Sequence, residues 1–160
     1  MDGYMNLYSQ LPPHDERAGE FLLVFSRFEF ALKQLGYVRQ NGTRLIVEWR
    51  RFACETTYDP TSSLAPYDKE TIDLFITHPP ARQVLKNDKL DWKHEKPPAK
   101  DQVTLEWLLE MLYRVRNNLF HGGKQPFEPP RDRKLLEAGL ALIDLCLHLN
   151  NDLYKAYRKP

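Results

Sequence analysis

Arg116 and His121 stand five positions apart, with Asn117 and Asn118 directly after the arginine, where an apolar run gives way to Gly122-Gly123. An arginine and a histidine held together are enough to break a phosphodiester without a metal. The guanidinium stays cationic and grips phosphate through two nitrogens. The imidazole, with an unperturbed pKa of about 6.5, moves protons near neutral pH. If the 2′-hydroxyl of RNA is the nucleophile, such a pair would leave a 2′,3′-cyclic phosphate and a 5′-hydroxyl. Asn117 is placed to orient His121 or a phosphate oxygen. The same residues also admit a structural reading. A basic side chain near a helix C-terminus complements the dipole, asparagine caps, and histidine before glycine is commonplace.

The element that must position the pair is a helix over 104–119. Leu105, Leu108, Leu109, Leu112, Val115 and Leu119 recur at helical spacing and form its apolar stripe. At about 100° per residue, Arg116 falls within roughly 40° of the centre of that stripe. A charge there must snorkel, pair with an acid, or face a cavity or subunit boundary.

The rest of the chain reads as helices broken by loops. A first helix begins near Asp15 and carries Phe21, Leu22, Phe25, Phe28, Leu32 and Leu35 in step until Gly36. Residues 39–43, with Asn41-Gly42, form a loop, and a second helix is expected over 44–54 with Leu45, Ile46, Trp49, Phe52 and Ala53 on its apolar side. The Thr, Ser and Pro of 56–66 mark a loop, and a short helix follows over 68–77, stopped by Pro79-Pro80. Over 83–92 the sequence fits a small hairpin around Asn87-Asp88 or two irregular turns. Residues 93–100 read as a loop, and a long closing helix is expected over 131–157. The sum is one domain over 1–160, an all-α bundle of four to five helices with a long irregular middle segment.

Composition narrows the function classes. The chain has 23 basic and 22 acidic residues and a net charge of +1, so any nucleic-acid contact is local rather than a long basic coat. No apolar stretch approaches the roughly 20 residues of a membrane span, and no signal peptide opens the chain. A cytoplasmic protein is expected. Cys54 and Cys146 read as small buried thiols in a reducing compartment. His14, His78, His94 and His148 are scattered, so neither a metal site nor another cofactor is expected. Secondary candidates are Glu29, which can pair with Arg116 or Arg27 or form an ordinary intrahelical ion pair, and Lys124, which can contact phosphate or merely solvate a loop. Arg131-Asp132-Arg133-Lys134 is a basic helix start, and Trp92 is open to stacking on a base.

Arg116-Asn117-Asn118-Leu119-Phe120-His121-Gly122 resembles the motif of the HEPN superfamily, in which an arginine and a polar residue precede a histidine by a short gap. Phe25-Ser26-Arg27-Phe28-Glu29-Phe30-Ala31-Leu32-Lys33 is similar to the opening helix of its Apea-like branch, and Pro79-Pro80-Ala81-Arg82-Gln83-Val84, with Trp92 downstream, to a middle segment of such proteins. The resemblance implies a helical bundle that dimerises, so that two Arg-His pairs meet in a cleft. It implies a metal-independent endoribonuclease in a prokaryotic defence or toxin context, with RNA as substrate and with room for an antitoxin or regulatory partner. Other members of the superfamily are non-catalytic modules that bind RNA, nucleotide or protein. The nucleotidyltransferase-paired toxins of the superfamily carry a tyrosine two residues after the histidine; here that position is Gly123, so control by modifying that tyrosine lacks its target.

Overall fold

Helix α1, Arg17–Gln34, opens the computed structural model, which describes residues 15–59, 66–120 and 129–159. It buries Phe21, Phe25, Phe28 and Leu32 of the stripe its sequence spacing predicts, together with Ala31, while Leu22 and Leu35 are half-buried. At its start the buried Asp15 carboxylate accepts the Arg17 N–H at 2.9 Å and Arg133 Nε at 3.0 Å. At its end the Tyr37 N–H reaches Leu32 O and the Gly36 N–H reaches Lys33 O, with Gly36 at φ 85°. This closure ends a helix with a left-handed residue, which a β-carbon would oppose.

The expected helix over 44–54 is replaced by a hairpin and a shorter helix. Strand β1, Val38–Asn41, pairs antiparallel with β2, Arg44–Val47, through the two-residue turn Gly42-Thr43. Gly42 takes φ 60°, which suits the first position of a tight hairpin turn. Thr43, Ile46 and Val47 are β-branched and favour the pleated form, which explains why Leu45 and Ile46 leave the helical register. Helix α2 is confined to Trp49–Glu55.

Helix α3, Pro66–Thr77, starts at a proline, which the first helical position tolerates. The ambiguous segment after it is a hairpin: β3, Arg82–Lys86, pairs with β4, Lys89–Lys93. Its turn residues Asn87 and Asp88 both have positive φ, 50° and 58°, a tight turn that these two side chains tolerate. A 3-10 turn at Lys100–Gln102 leads into α4, Leu105–Phe120, where Thr104 Oγ1 caps by accepting the Trp107 N–H at 3.2 Å.

The single closing helix is also corrected. Helix α5, Pro129–Leu149, and helix α6, Asn151–Arg158, are separated by Asn150, whose backbone is extended and whose Oδ1 accepts the Leu153 N–H at 2.9 Å. Asn150-Asn151-Asp152 carries that capping chemistry in plain view, but apolar periodicity runs through it unbroken.

The described residues are therefore mostly helical with two small two-stranded sheets, rather than all-α. Helix α5 packs against α1, α3, α4 and α6, while α4 touches α1, α2, α3, α5 and β3. One apolar core unites them, with Phe21, Phe28, Phe52, Phe75, Leu112 and Ile143 among its fully buried side chains. Gly139 lets α5 approach α1; a β-carbon there would meet Phe21 Cε2 at 2.5 Å. Among the described residues no helix is long and apolar enough to cross a membrane. Cys146 is buried in the core, whereas Cys54 is exposed, against expectation. It sits in the last turn of a helix that proved shorter than its apolar pattern.

Candidate functional site

The C-terminal half of α4 carries Arg116 and Asn117 and ends at Phe120; His121 follows in the chain but, like Lys124, lies outside the described residues. Positions three before and four after a helical residue share its face. Tyr113 and Phe120 therefore flank Arg116, and Phe25 comes in from α1. The guanidinium carbon sits 4.2 Å from the Phe120 ring centroid, 5.9 Å from Tyr113 and 6.0 Å from Phe25. Each ring face attracts the cation, by about 0.5–1 kcal/mol where exposed and more where dry. Trp49 backs this group, 5.8 Å from Phe25 and 6.2 Å from Tyr113, so the rings form a continuous row.

Arg116 is half-buried, and its Nη1 donates to Asn117 Oδ1 at 2.9 Å. Its Nε is buried without a hydrogen-bond partner, and among the described residues no carboxylate pairs with the group. A guanidinium has five N–H donors, so most of its capacity to bind an oxyanion is uncommitted. Asn117 is thereby assigned a contact: its carbonyl oxygen holds the arginine.

Glu29 does not join them. Its carboxylate pairs with Lys33 at 3.2 Å, the ordinary intrahelical arrangement, and neither Arg116 nor Arg27 is its partner. Arg27 instead donates to Tyr157 O at 2.7 Å and lies over the Phe30 ring, fastening α1 to the end of α6.

The residue that the sequence reading missed is Arg114, two positions before Arg116. Its side chain is only 5% exposed and bonds through Nη2 to both Glu95 and Glu110. Glu95 also lies 3.5 Å from Arg82. Burial opposes the charge on Arg114, but the hydrogen bonds it donates to Glu95 and Glu110 outweigh it and hold its pKa above the usual value. The same hydrogen bond holds the Glu95 carboxyl below its ordinary range. Asn118 Nδ2 donates to Ala81 O at 3.1 Å. Together these contacts fasten the base of the β3–β4 hairpin to the part of α4 that carries Arg116. The signal for the ring cluster was legible in Tyr113, Arg116 and Phe120 at i, i+3 and i+7; the signal for Arg114 was not.

An open cavity of about 390 Å³ between the end of α2 and the start of α4 is lined by Cys54, Thr56, Asp101, Gln102, Leu105 and Glu106, among others. It contains none of the expected site residues and its ionisable lining is acidic, so a phosphate finds no counter-charge there. Among the described residues no group of three or more His, Cys, Asp or Glu side chains is arranged to hold a metal ion. Trp92 lies on β4 in a regular strand rather than an irregular segment, half-buried and paired with Gln83. No family model, no curated protein and no solved structure matches the chain.

Proposed function

We propose that this chain is a metal-independent endoribonuclease, acting as a homodimer in a prokaryotic defence or toxin–antitoxin setting, as the resemblance to the HEPN superfamily implies. The observation that carries the reading is the contrast between two neighbouring arginines. Arg114 is neutralised by two carboxylates, while Arg116 is held over three rings and by Asn117 with no carboxylate partner among the described residues. A preorganised, uncompensated cation is what a pentavalent phosphorane's extra charge requires.

In this reading the 2′-hydroxyl attacks phosphorus and the bond to the 5′-oxygen breaks. Arg116 binds the non-bridging oxygens and stabilises their added charge, and Asn117 fixes the guanidinium plane. His121 takes the 2′-hydroxyl proton, and the second His121 of the dimer protonates the leaving 5′-oxygen, because the motif supplies one imidazole per chain. The products are a 2′,3′-cyclic phosphate and a 5′-hydroxyl.

The second reading is a non-catalytic module that binds RNA, nucleotide or protein. It is favoured by the exposure of Phe120, 60%, and Tyr113 beside Arg116, which would make the ring cluster a docking surface. Incubation of the pure protein with mixed RNA in EDTA separates the two. Wild type is expected to produce cyclic-phosphate ends, Arg116→Ala to lose about 10²–10³-fold in rate, and His121→Ala about 10²–10⁴-fold. Intact RNA with wild type, or cleavage by either variant at the wild-type rate, sinks the nuclease reading.

A further inference from the structure

The β3–β4 hairpin and the loop after it carry a small basic excess, with Asp88, Asp91 and Glu95 set among the lysines. Lys86, Lys89, Lys93, Lys96 and Lys100 fall within fifteen residues of a chain whose net charge is +1. The hairpin register sorts them. Arg82 stands opposite Lys93, Val84 opposite Asp91, and Lys86 opposite Lys89, all on one face; Gln83, Trp92, Leu85 and Leu90 occupy the other. Like charges directly opposite each other destabilise an antiparallel pair, and a two-stranded hairpin is marginal on its own. This ribbon carries two such pairs. At its base Glu95 relieves Arg82 at 3.5 Å. At its tip neither Lys86 nor Lys89 forms an ion pair among the described residues. The two cation pairs are four residues apart along the strand, about 13 Å at the usual strand rise.

The ribbon is also fixed where it matters. Glu95 bridges Arg82 and Arg114, and Asn118 holds Ala81, so its base rests on the last turns of α4, on the side of the helix about 160° from Arg116. We propose that the basic face of the β3–β4 hairpin is a guide for single-stranded RNA, whose phosphates Lys86, Lys89 and Lys93 hold while the strand runs to the Arg116 end of α4. A linear polyanion relieves both like-charge pairs at once, which a single small anion cannot. A single strand is the form required, because base stacking in an A-form helix holds the 2′-hydroxyl away from in-line attack. The inference rests on the RNA reading of the site; the guide itself does not depend on catalysis.

The test is a binding measurement on the full chain. A labelled single-stranded 2′-O-methyl RNA lacks the nucleophile, so anisotropy titrations over a range of salt read affinity alone. Lys86→Glu with Lys89→Glu, at exposed tip positions, is expected to weaken binding at least about ten-fold at low salt. It is expected to make the slope of log affinity against log salt shallower by about 1.4, at roughly 0.7 per lost single-strand phosphate contact. Lys155→Glu with Lys159→Glu puts the same charge change at the end of α6 and is expected to keep the slope. Unchanged affinity and slope in the hairpin variant, an equal loss in the α6 variant, or no binding by wild type each overturn the guide. The first of these, with Leu85→Ser/Leu90→Ser losing capture of another protein, would assign the hairpin to a protein partner. Binding lost through the hairpin variant while wild type cleaves no unmodified RNA supports the guide and removes the nuclease reading. Cleavage that disappears in Arg116→Ala while the hairpin variant binds normally does the reverse.

Discussion

Arg114 and Arg116 differ by two positions and by nearly everything else. Arg116 lies beside the apolar stripe of α4, whereas Arg114, about 160° away around the helix, faces a second side that β3 and the loop after β4 cover, and there it is buried against Glu95. The sequence stripe identified Arg116 as the charge needing a reason because it assumed one buried face. It could not see the second, since the covering segment is the hairpin whose existence was ambiguous. Removing Arg114 leaves Glu95 and Glu110 facing a buried void, so Arg114→Ala is expected to cost about 2 kcal/mol in urea denaturation. That lies below the usual 3–5 for a buried pair because both carboxylates are partly in water. Arg116→Lys keeps the charge but loses the planar face that lies 4.2 Å from Phe120. It is expected to lower RNA cleavage ten-fold or more while shifting stability by less than about 1 kcal/mol; equal activity with lysine would show that the plane is not used. The cysteines separate in the same way. Cys146 is fully enclosed, and burial pushes its thiol up to about 12, whereas Cys54 is exposed. One thiol should react with an alkylating reagent in the folded protein and the second only on unfolding.

At the scale of elements, the long periodic helices were legible and their interruptions were not. Helices α1 and α4 follow their apolar spacing almost to the residue, because a wide buried stripe dictates a helix whatever its neighbours do. Strand β2 falls inside the stretch expected as helix because Leu45, Ile46, Trp49 and Phe52 satisfy three-and-four spacing by coincidence, across what is a strand and then a helix. The break at Asn150 was missed because a cap is a single side-chain event that hydrophobic periodicity does not record. Its energetic weight is testable. Asn150→Ala leaves the Leu153 N–H without its acceptor and is expected to cost about 1 kcal/mol, a fall of roughly 2–4 °C in Tm for a chain of this size. Gly139→Ala is the informative companion. Helix propensity alone would favour alanine by about 1 kcal/mol. The Cβ would sit 2.5 Å from the fully buried Phe21, and overpacking of that kind costs about 1–3 kcal/mol, so the net expected effect is a loss of stability. A gain in Tm would mean that α1 and α5 separate more easily than their packing implies.

Two carboxylates join distant parts of the whole molecule. Asp15, just before α1, accepts from Arg133 on α5, and Glu95, after β4, accepts from Arg114 on α4. The Asp15 carboxyl is held below its ordinary 3.8, first by the Arg17 backbone N–H and then by Arg133. The Glu95 carboxyl is held below its ordinary 4.5, first by the hydrogen bond from Arg114. A carboxyl whose folded pKa lies below its unfolded one is less protonated in the native state. Its contribution is complete above the unfolded value and is lost as pH falls through the folded value. Fold stability should therefore stay level from about pH 7 to about pH 5 and decline below about pH 4.5. Asp15→Asn with Glu95→Gln should start less stable at neutral pH, having lost two charge-assisted contacts, and then lose less on acidification. The hairpin that Glu95 fastens should be the first part to loosen, since the polar contacts of its base with α4 among the described residues run through Glu95 and the Asn118–Ala81 bond. Hydrogen exchange near pH 4 checks this: amides of β3 and β4 should lose protection before those of α4 and α5. Simultaneous loss across all of them would show that acid unfolds the molecule in one step, and that the hairpin is no separate unit.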